Sequence, residues 1–260
     1  TLPLNRIRIK PSSEIIGVIN KIEEVGDLNY LNVRDFPKMI RGEEAEGLRK
    51  VKELLVENVE RSCSFIKAKK DLNYYYFTER WSLNIEEIDD GFLKGINYEY
   101  YTDPKLLIKH NNIYPEVLYT KRNTCFTSSI YSLLHEDEGL LKTLCGLLNS
   151  AVLQFYCIYA INNQKNTTIN LNQYMIRHLP VVEPNDSLKS QLSPLVDQVH
   201  SRLNTTNGQI DSELCKNLKK IDDIVLNCYE LNEKERILVK NELRDKIDHF
   251  RLIYGQGDQG

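Results

Sequence analysis

The sequence predicts an α+β fold: a mixed, sheet-containing part with buried helices, followed by a helical tail. Three observations predict it. Between Cys63 and Tyr131, short apolar or aromatic runs alternate with turn residues, which is the pattern of strands in a mainly antiparallel or mixed sheet. From Gly139 to Ile161 runs a long apolar stretch with helical period, apolar on most sides, hence buried. After Asn185 come three capped amphipathic periods, the signature of helices packing by one face.

Taken in order, Ser12 or Ser13 is a cap for a first helix, whose face carries Ile15, Ile16, Ile19 and Ile22 and which ends at Gly26. Tyr30 to Ile40 reads as partly extended. Gly42-Glu43-Glu44 opens a second helix with Leu48, Val51, Leu55 and Val59 as its stripe, the two carboxylates favouring its amino end. The strand runs are SCSFIKAK, LNYYYFTERW, PKLLIKHN, PEVLYTKR and TCFTSSIYSLL. Tyrosine is dense there, at Tyr74, Tyr75, Tyr76, Tyr98, Tyr100 and Tyr101. It suits sheet packing and, alternatively, base stacking. The helix from Gly139 to Ile161 carries Leu141, Leu144, Leu148, Val152, Phe155 and Tyr159 on one face. In the tail, Asn185-Asp186-Ser187 caps a helix with Leu188, Leu192, Leu195 and Val199, and LNTTNGQ breaks it. A second helix shows Leu214, Leu218, Ile221, Val225 and Cys228. Asn232 with Glu235 forms a capping box for a third, running to about Phe250. The expected division is 1–183 (helical entry 12–60, sheet-rich part 63–135, buried helix and loop 139–180) and a tail at 184–260.

At 260 residues the chain is long enough for a real core. Formal net charge is -3, which excludes a basic nucleic-acid coat but allows a near-neutral reader with basic groups on one face. The six cysteines, Cys63, Cys125, Cys145, Cys157, Cys215 and Cys228, form no C-x-x-C pair. They read as reduced core thiols of an intracellular protein, without zinc-ligand spacing. No run approaches the roughly 20 apolar residues of a membrane span, and Arg6, Arg8 and Lys10 lead into no signal-peptide core. The start at Thr1 and the ending GQGDQG read as a fragment.

No Gly-rich phosphate loop, G-x-S-x-G elbow or H-E-x-x-H motif occurs. The acidic runs Glu86-Glu87-Asp89-Asp90 and Glu136-Asp137-Glu138 read as solvated turns. Between Glu138 and Glu183 there is no carboxylate. A segment of that kind, lined with Asn, Gln, Thr, Lys and Arg, suits a surface facing phosphates and base edges. The candidate contacts are Lys67 with Lys69 and Lys70; Lys105, Lys109, His110, Asn111 and Asn112; and Lys121, Arg122 and Asn123. The polar run from Asn162 to Thr168 adds Asn162, Asn163, Lys165 and Asn166, and Arg177 precedes His178-Leu179-Pro180. Lys and Arg neutralise phosphates; Arg and Asn read guanine and adenine edges. Each of these loops also has an ordinary reading as a solvated turn.

Four motifs in order resemble one family. They are Arg41-Gly42-Glu43-Glu44; Ser64-Phe65-Ile66-Lys67, with Ala68 where Gly is expected; Pro104-Lys105-Leu106-Leu107-Ile108-Lys109, leading to Leu147-Leu148-Asn149-Ser150 and His178-Leu179-Pro180-Val181; and Ile221-Asp222-Asp223-Ile224-Val225, followed by Cys228-Tyr229-Glu230-Leu231-Asn232-Glu233-Lys234-Glu235. Together, over about Asn20 to Lys240, they resemble the C-terminal target-recognition region of TaqI-like adenine-specific DNA methyltransferases, including fused restriction-modification enzymes. The resemblance implies a DNA-recognition domain that clamps double-stranded DNA against a catalytic methyltransferase domain, in the cytoplasm. Such enzymes bind S-adenosylmethionine by a Gly-containing loop and hold a flipped adenine with Asn/Asp-Pro-Pro-Tyr/Phe. Neither motif is here, so this chain is expected to choose the site and to carry no cofactor, catalytic residue or metal itself. Two other readings stand beside this one. One is a protein–protein docking module that uses the tail helices from Asp186 to Phe250. The other is a nuclease that uses Asp89 or Asp90.

Overall fold

A computed structural model describes residues 11–32, 39–67, 71–88, 99–162 and 171–255. Lys69, Lys70, Asp89, Asp90, Tyr98, Asn163, Lys165 and Asn166 lie outside the described residues. The fold is α+β. In chain order the elements are α1 (Ser13–Val25), β1 (Ile40–Arg41), α2 (Ala45–Leu54), β2 (Val56–Glu57), β3 (Cys63–Ile66), β4 (Leu72–Asn73), β5 (Tyr76–Phe77) and β6 (Trp81–Leu83). There follow α3 (Glu99–Thr102), β7 (Lys105–Lys109), β8 (Glu116–Thr120), β9 (Thr124–Phe126) and β10 (Ile130–Leu134). Last come α4 (Glu138–Asn149), α5 (Ala151–Tyr156), α6 (Gln173–Arg177), α7 (Asp186–Thr205), α8 (Ser212–Cys228), α9 (Glu233–Arg244) and α10 (Asp248–Tyr254).

Two four-stranded sheets stack. The first has the order β1-β10-β7-β8, antiparallel throughout. The second has the order β2-β6-β3-β9, with β3 and β9 parallel. Side chains alternate faces along a strand, and β7 shows the result. Leu106 and Ile108 join the main apolar core with α4 and α5. Leu107 joins a second core, between the sheets, with Phe65, Leu118, Cys125 and Ile130. The first sheet is thus covered on both faces, so all five positions of β7 and of β8 are buried. Beyond the expected 183/184 boundary, Leu192, Val196, Leu218, Val225 and Phe250 belong to the same main core as Leu144 and Phe155.

Several elements depart from the sequence expectation. Ile16 is 36% exposed and its place on the buried face of α1 goes to Val18. The second helix stops at Leu54, because Asn58, at φ 55°, donates its amide to the Arg80 carbonyl and the backbone is taken up by pairing with β6. Val59 is therefore 50% exposed. Glu43 does not serve a helix end in solvent: it is buried, and the Tyr101 hydroxyl donates to its carboxylate. Tyr74 and Tyr75 form the turn between β4 and β5, with Tyr75 at φ 58°, and Tyr101 lies in α3. Tyr74, Tyr75, Tyr100 and Tyr101 are buried, but in a turn and a helix, whereas Tyr76 lies in β5.

The expected helix Gly139–Ile161 is two helices meeting at 50°. Ser150 is extended (φ -66°, ψ 156°) and its hydroxyl caps α5 by accepting from the Leu153 amide at 3.4 Å. Asn149, just before it, turns its amide onto the backbone of β8, accepting from the Val117 amide (2.9 Å) and donating to the Val117 carbonyl (2.7 Å). The break is what lets a helix side chain cap a strand. Among the described residues no single helix is long and apolar enough to cross a membrane. In the tail the third helix ends at Arg244 and resumes as α10; the expected capping box of Asn232 and Glu235 is present.

Candidate functional site

The carboxylate-free stretch is explained first by burial. Leu140 to Asn162, except Lys142, is buried throughout, and an unpaired carboxylate there would carry a large desolvation cost. Its lack of acids reflects the core as far as Asn162. Asn162 itself is 1% exposed and donates to the carbonyls of Ile113 and Cys157, so it faces inward rather than toward a partner.

The register of β7 with β8 sorts the remaining candidates. Lys105 pairs with Thr120 and Lys109 with Glu116, which puts Lys121, Arg122 and Asn123 at one end of this ribbon and His110, Asn111 and Asn112 at the other. The sequence expectation of one continuous contact set thus divides into two groups.

At the Thr120 end, Lys105 is fully buried and its ammonium donates to the carbonyls of Tyr101 (3.0 Å), Asp103 (2.7 Å) and Arg122 (3.2 Å). Burial pulls its pKa down to about 8. It ties the 101–103 segment to Arg122 and turns away from solvent, which corrects the expectation that it meets phosphate. Lys121 is exposed but pairs with Glu138 at 2.6 Å. Arg122 pairs with Glu79 at 3.1 Å. The Asn123 amide donates to the Ser62 carbonyl at 3.1 Å. The cations at this end are matched by carboxylates.

The Glu116 end is built around Thr127–Ser129, where the chain passes from β9 in the second sheet to β10 in the first. Thr127 donates its amide to Ile66, Ser128 to Glu43, and Ser129 accepts from the His110 amide. The Ser128 carbonyl takes the Arg41 Nε–H (3.2 Å) and lies 2.9 Å from His110 Nε2. Gly42 is obligatory for this approach, since a Cβ there would sit 2.2 Å from the Phe126 carbonyl oxygen. The hub therefore gathers Lys67, Arg41, His110 and Asn111. Leu171 joins it by donating to the His110 carbonyl (2.8 Å), and Gln173 by donating to the Met39 carbonyl (2.9 Å). Arg177 reaches the Leu31 carbonyl at 3.3 Å.

Two candidates at this end are structural. Lys109 is buried, pairs with Glu116 and donates to the Leu72 carbonyl (3.0 Å), so it too turns inward, not toward phosphate. His110 is 5% exposed and stacked on Tyr131 at 4.3 Å; burial lowers its pKa. Lys67, Asn111, Asn112 and Arg177 are partly exposed. The Asn112 amide lies 3.5 Å from Glu116, and its carbonyl accepts the Ile113 amide. Sequence reasoning missed Arg41, Gln173, Arg80 and Trp81 as members of the surface. Arg41 was visible within its Arg-Gly-Glu-Glu motif; for the other three nothing in the sequence marked the position.

The cations here are held differently. Arg41 and Arg177 lean on carbonyls, and Lys67 sits over the Trp81 ring at 4.0 Å. Glu44 lies 3.8 Å from Arg41 and is two-thirds exposed, a weak, screened partner. A carbonyl dipole orients a cation without cancelling its charge.

The described residues thus form two stacked sheets that carry polar loops at their ends. Residues 57–181 match the model of the TaqI-like C-terminal specificity domain. Among solved structures, the chain is similar to the type IIL restriction-modification enzyme MmeI in complex with DNA, at 14% identity and a TM-score of 0.49. The match covers 84% of this chain and 36% of that one, so the chain spans about a third of that enzyme's length. No curated protein matches the chain.

Proposed function

We propose that this chain is the sequence-recognition part of an adenine-specific DNA methyltransferase or restriction-modification enzyme, and that it binds duplex DNA through the Thr127–Ser129 hub. The observation that carries this reading is the specificity-domain match over residues 57–181, the segment that contains Lys67, Asn111, Asn112 and the hub. Labour is divided by chemistry. Lys67, Arg41 and Arg177 set register on phosphates, and Asn111, Asn112 and Gln173 discriminate base edges, with about 1–3 kcal/mol for each good bidentate contact. Lys121, Arg122 and Asn123 are a second, weaker contact group, since the two cations must first leave Glu138 and Glu79. Methyl transfer, S-adenosylmethionine and the flipped adenine belong to a catalytic domain of the parent protein, which works in the cytoplasm.

The test is titration of fluorescent duplex DNA at two salt concentrations with the chain and with Arg41→Ala/Lys67→Ala. Binding that weakens with salt, and weakens further in the variant, is the expected result. No binding at low salt, alone or with the parent's catalytic domain added, would overturn the reading.

A further inference from the structure

We propose that Lys67 and Arg80, both set over the ring of Trp81, form a phosphate clamp that holds one DNA strand without reading its sequence. The inference rests on the DNA-recognition reading above and assigns a distinct task to the second sheet.

Lys67 follows β3 directly, and Trp81 opens β6, whose register pairs it with Phe65. The ammonium lies 4.0 Å from the ring centroid and the guanidinium of Arg80 lies 5.6 Å from it. Cation–π attraction at this range fixes a cation without neutralising it. Arg80 is steadied on its other side by Glu57, which accepts from Nε at 2.8 Å and pairs with a terminal nitrogen at 2.7 Å. That leaves two cations, a single exposed carboxylate and a half-buried indole at one sheet edge. Lys52 adds a third positive charge nearby: burial disfavours the ammonium of Lys67, the carboxylate of Asp71 opposes this, and the charges of Lys52 and Arg80 add to it, with Glu57 opposing. Two cations set over one ring leave room for an anion between them.

The anion is a backbone phosphate and not a base. Lys67 covers the face of Trp81, so the indole is a support for the lysine and offers no bare plane for stacking. Ile66, the residue before Lys67, accepts the Thr127 amide, so the clamp adjoins the hub, and a strand read at Asn111 and Gln173 would run on to it.

The test uses the whole chain, a duplex of fixed sequence and a pool of randomised duplexes. Lys67→Gln and Arg80→Gln are each expected to reduce the slope of log affinity against log salt by about 0.9, one phosphate contact apiece. The sequence preference selected from the pool is expected to stay as in the wild type. Trp81→Phe is expected to keep the slope and Trp81→Ala to lose as much of it as Lys67→Gln. Equal melting temperatures for the two Gln variants and the wild type guard against misfolding. Duplex binding by the wild type with unchanged slopes in both Gln variants would overturn the clamp alone, as would a changed sequence preference. Failure of the wild type to bind any duplex would overturn the DNA reading beneath it.

Discussion

At the Thr120 end of the β7–β8 ribbon the exposed cations Lys121 and Arg122 each meet a carboxylate, Glu138 and Glu79. At the Glu116 end Arg177 leans on a carbonyl, Lys67 on an indole, and Arg41 on a carbonyl with the exposed Glu44 at 3.8 Å, while the ion pair of Lys109 with Glu116 is buried. The residue types are the same and their consequences differ. An exposed pair cancels its own field and adds little stability. A cation oriented by a neutral dipole keeps its field. A buried pair contributes geometry, and its loss leaves one charge stranded. Counting basic residues in loops, as a sequence allows, merges these three cases.

The comparison breaks most visibly at the buried pair. Lys109→Ala should cost about 3 kcal/mol or more, because Glu116 is left buried and unpaired. A urea titration reads this as a lowered midpoint. Lys109→Met combined with Glu116→Leu should recover most of the loss, and a double variant no better than Lys109→Ala would remove the pairing argument.

The next effect separates the two ends in function. Arg41→Ala/Gln173→Ala should weaken duplex binding by roughly tenfold or more, the loss of one base contact and one phosphate contact. Lys121→Ala/Arg122→Ala should weaken it less than the first pair does. Equal losses measured by fluorescence titration would mean that both ends face the nucleic acid alike.

A buried carboxylate with no counter-ion sharpens the contrast with Glu116. Asp222 is 1% exposed, accepts the Ala151 amide (2.7 Å) and takes the Tyr254 hydroxyl. Burial raises its pKa to about 6, above the ordinary value of about 3.9. A raised folded pKa makes the charged form costly, so this contribution to stability is fully present below about pH 4 and is lost as pH rises through 6. His200 and His249 act oppositely: burial lowers them to about 4 and about 3, so they destabilise the fold as pH falls below about 6.5. Comparison with Asp222→Asn isolates the carboxyl. From pH 7.5 to pH 5 the wild type should gain about 1 kcal/mol relative to that variant. A pH-independent difference in melting temperature would show that Asp222 titrates normally.

The smallest effect is expected at the Thr120 end. Arg122→Ala should change stability by about 0.5 kcal/mol, as for an exposed pair. A loss near that of Lys109→Ala would mean that this pair is buried in solution.

Much of the architecture was legible because local chemistry wrote it. The caps at Ser12, Asn185 and Asn232, and the apolar periods of the tail, depend on neighbours within a turn. The strand runs from Cys63 to Leu134 were visible, with Pro or Asn beside several of them, as at Asn84, Pro104, Pro115 and Asn123. What failed did so where a distant partner intervened. The apolar spacing of Leu48, Val51, Leu55 and Val59 fits one helix, yet pairing with β6 claims the backbone after Leu54. The stretch from Gly139 to Ile161 fits one helix, yet Asn149 caps β8 and Ser150 breaks it. The lack of carboxylates in that stretch recorded burial as far as Asn162.

The sequence by itself determined which segments become helices and strands, and the ordered motifs that resemble a specificity domain, because propensity, capping and hydrophobic period are local properties. Only the tertiary structure decided which basic residues keep their charge for a partner. Lys105, Lys109, Lys121 and Lys67 are alike in the sequence. One is bound by three carbonyls, two by carboxylates and one by an indole, since the fate of a charge depends on what the fold brings within a few ångströms of it.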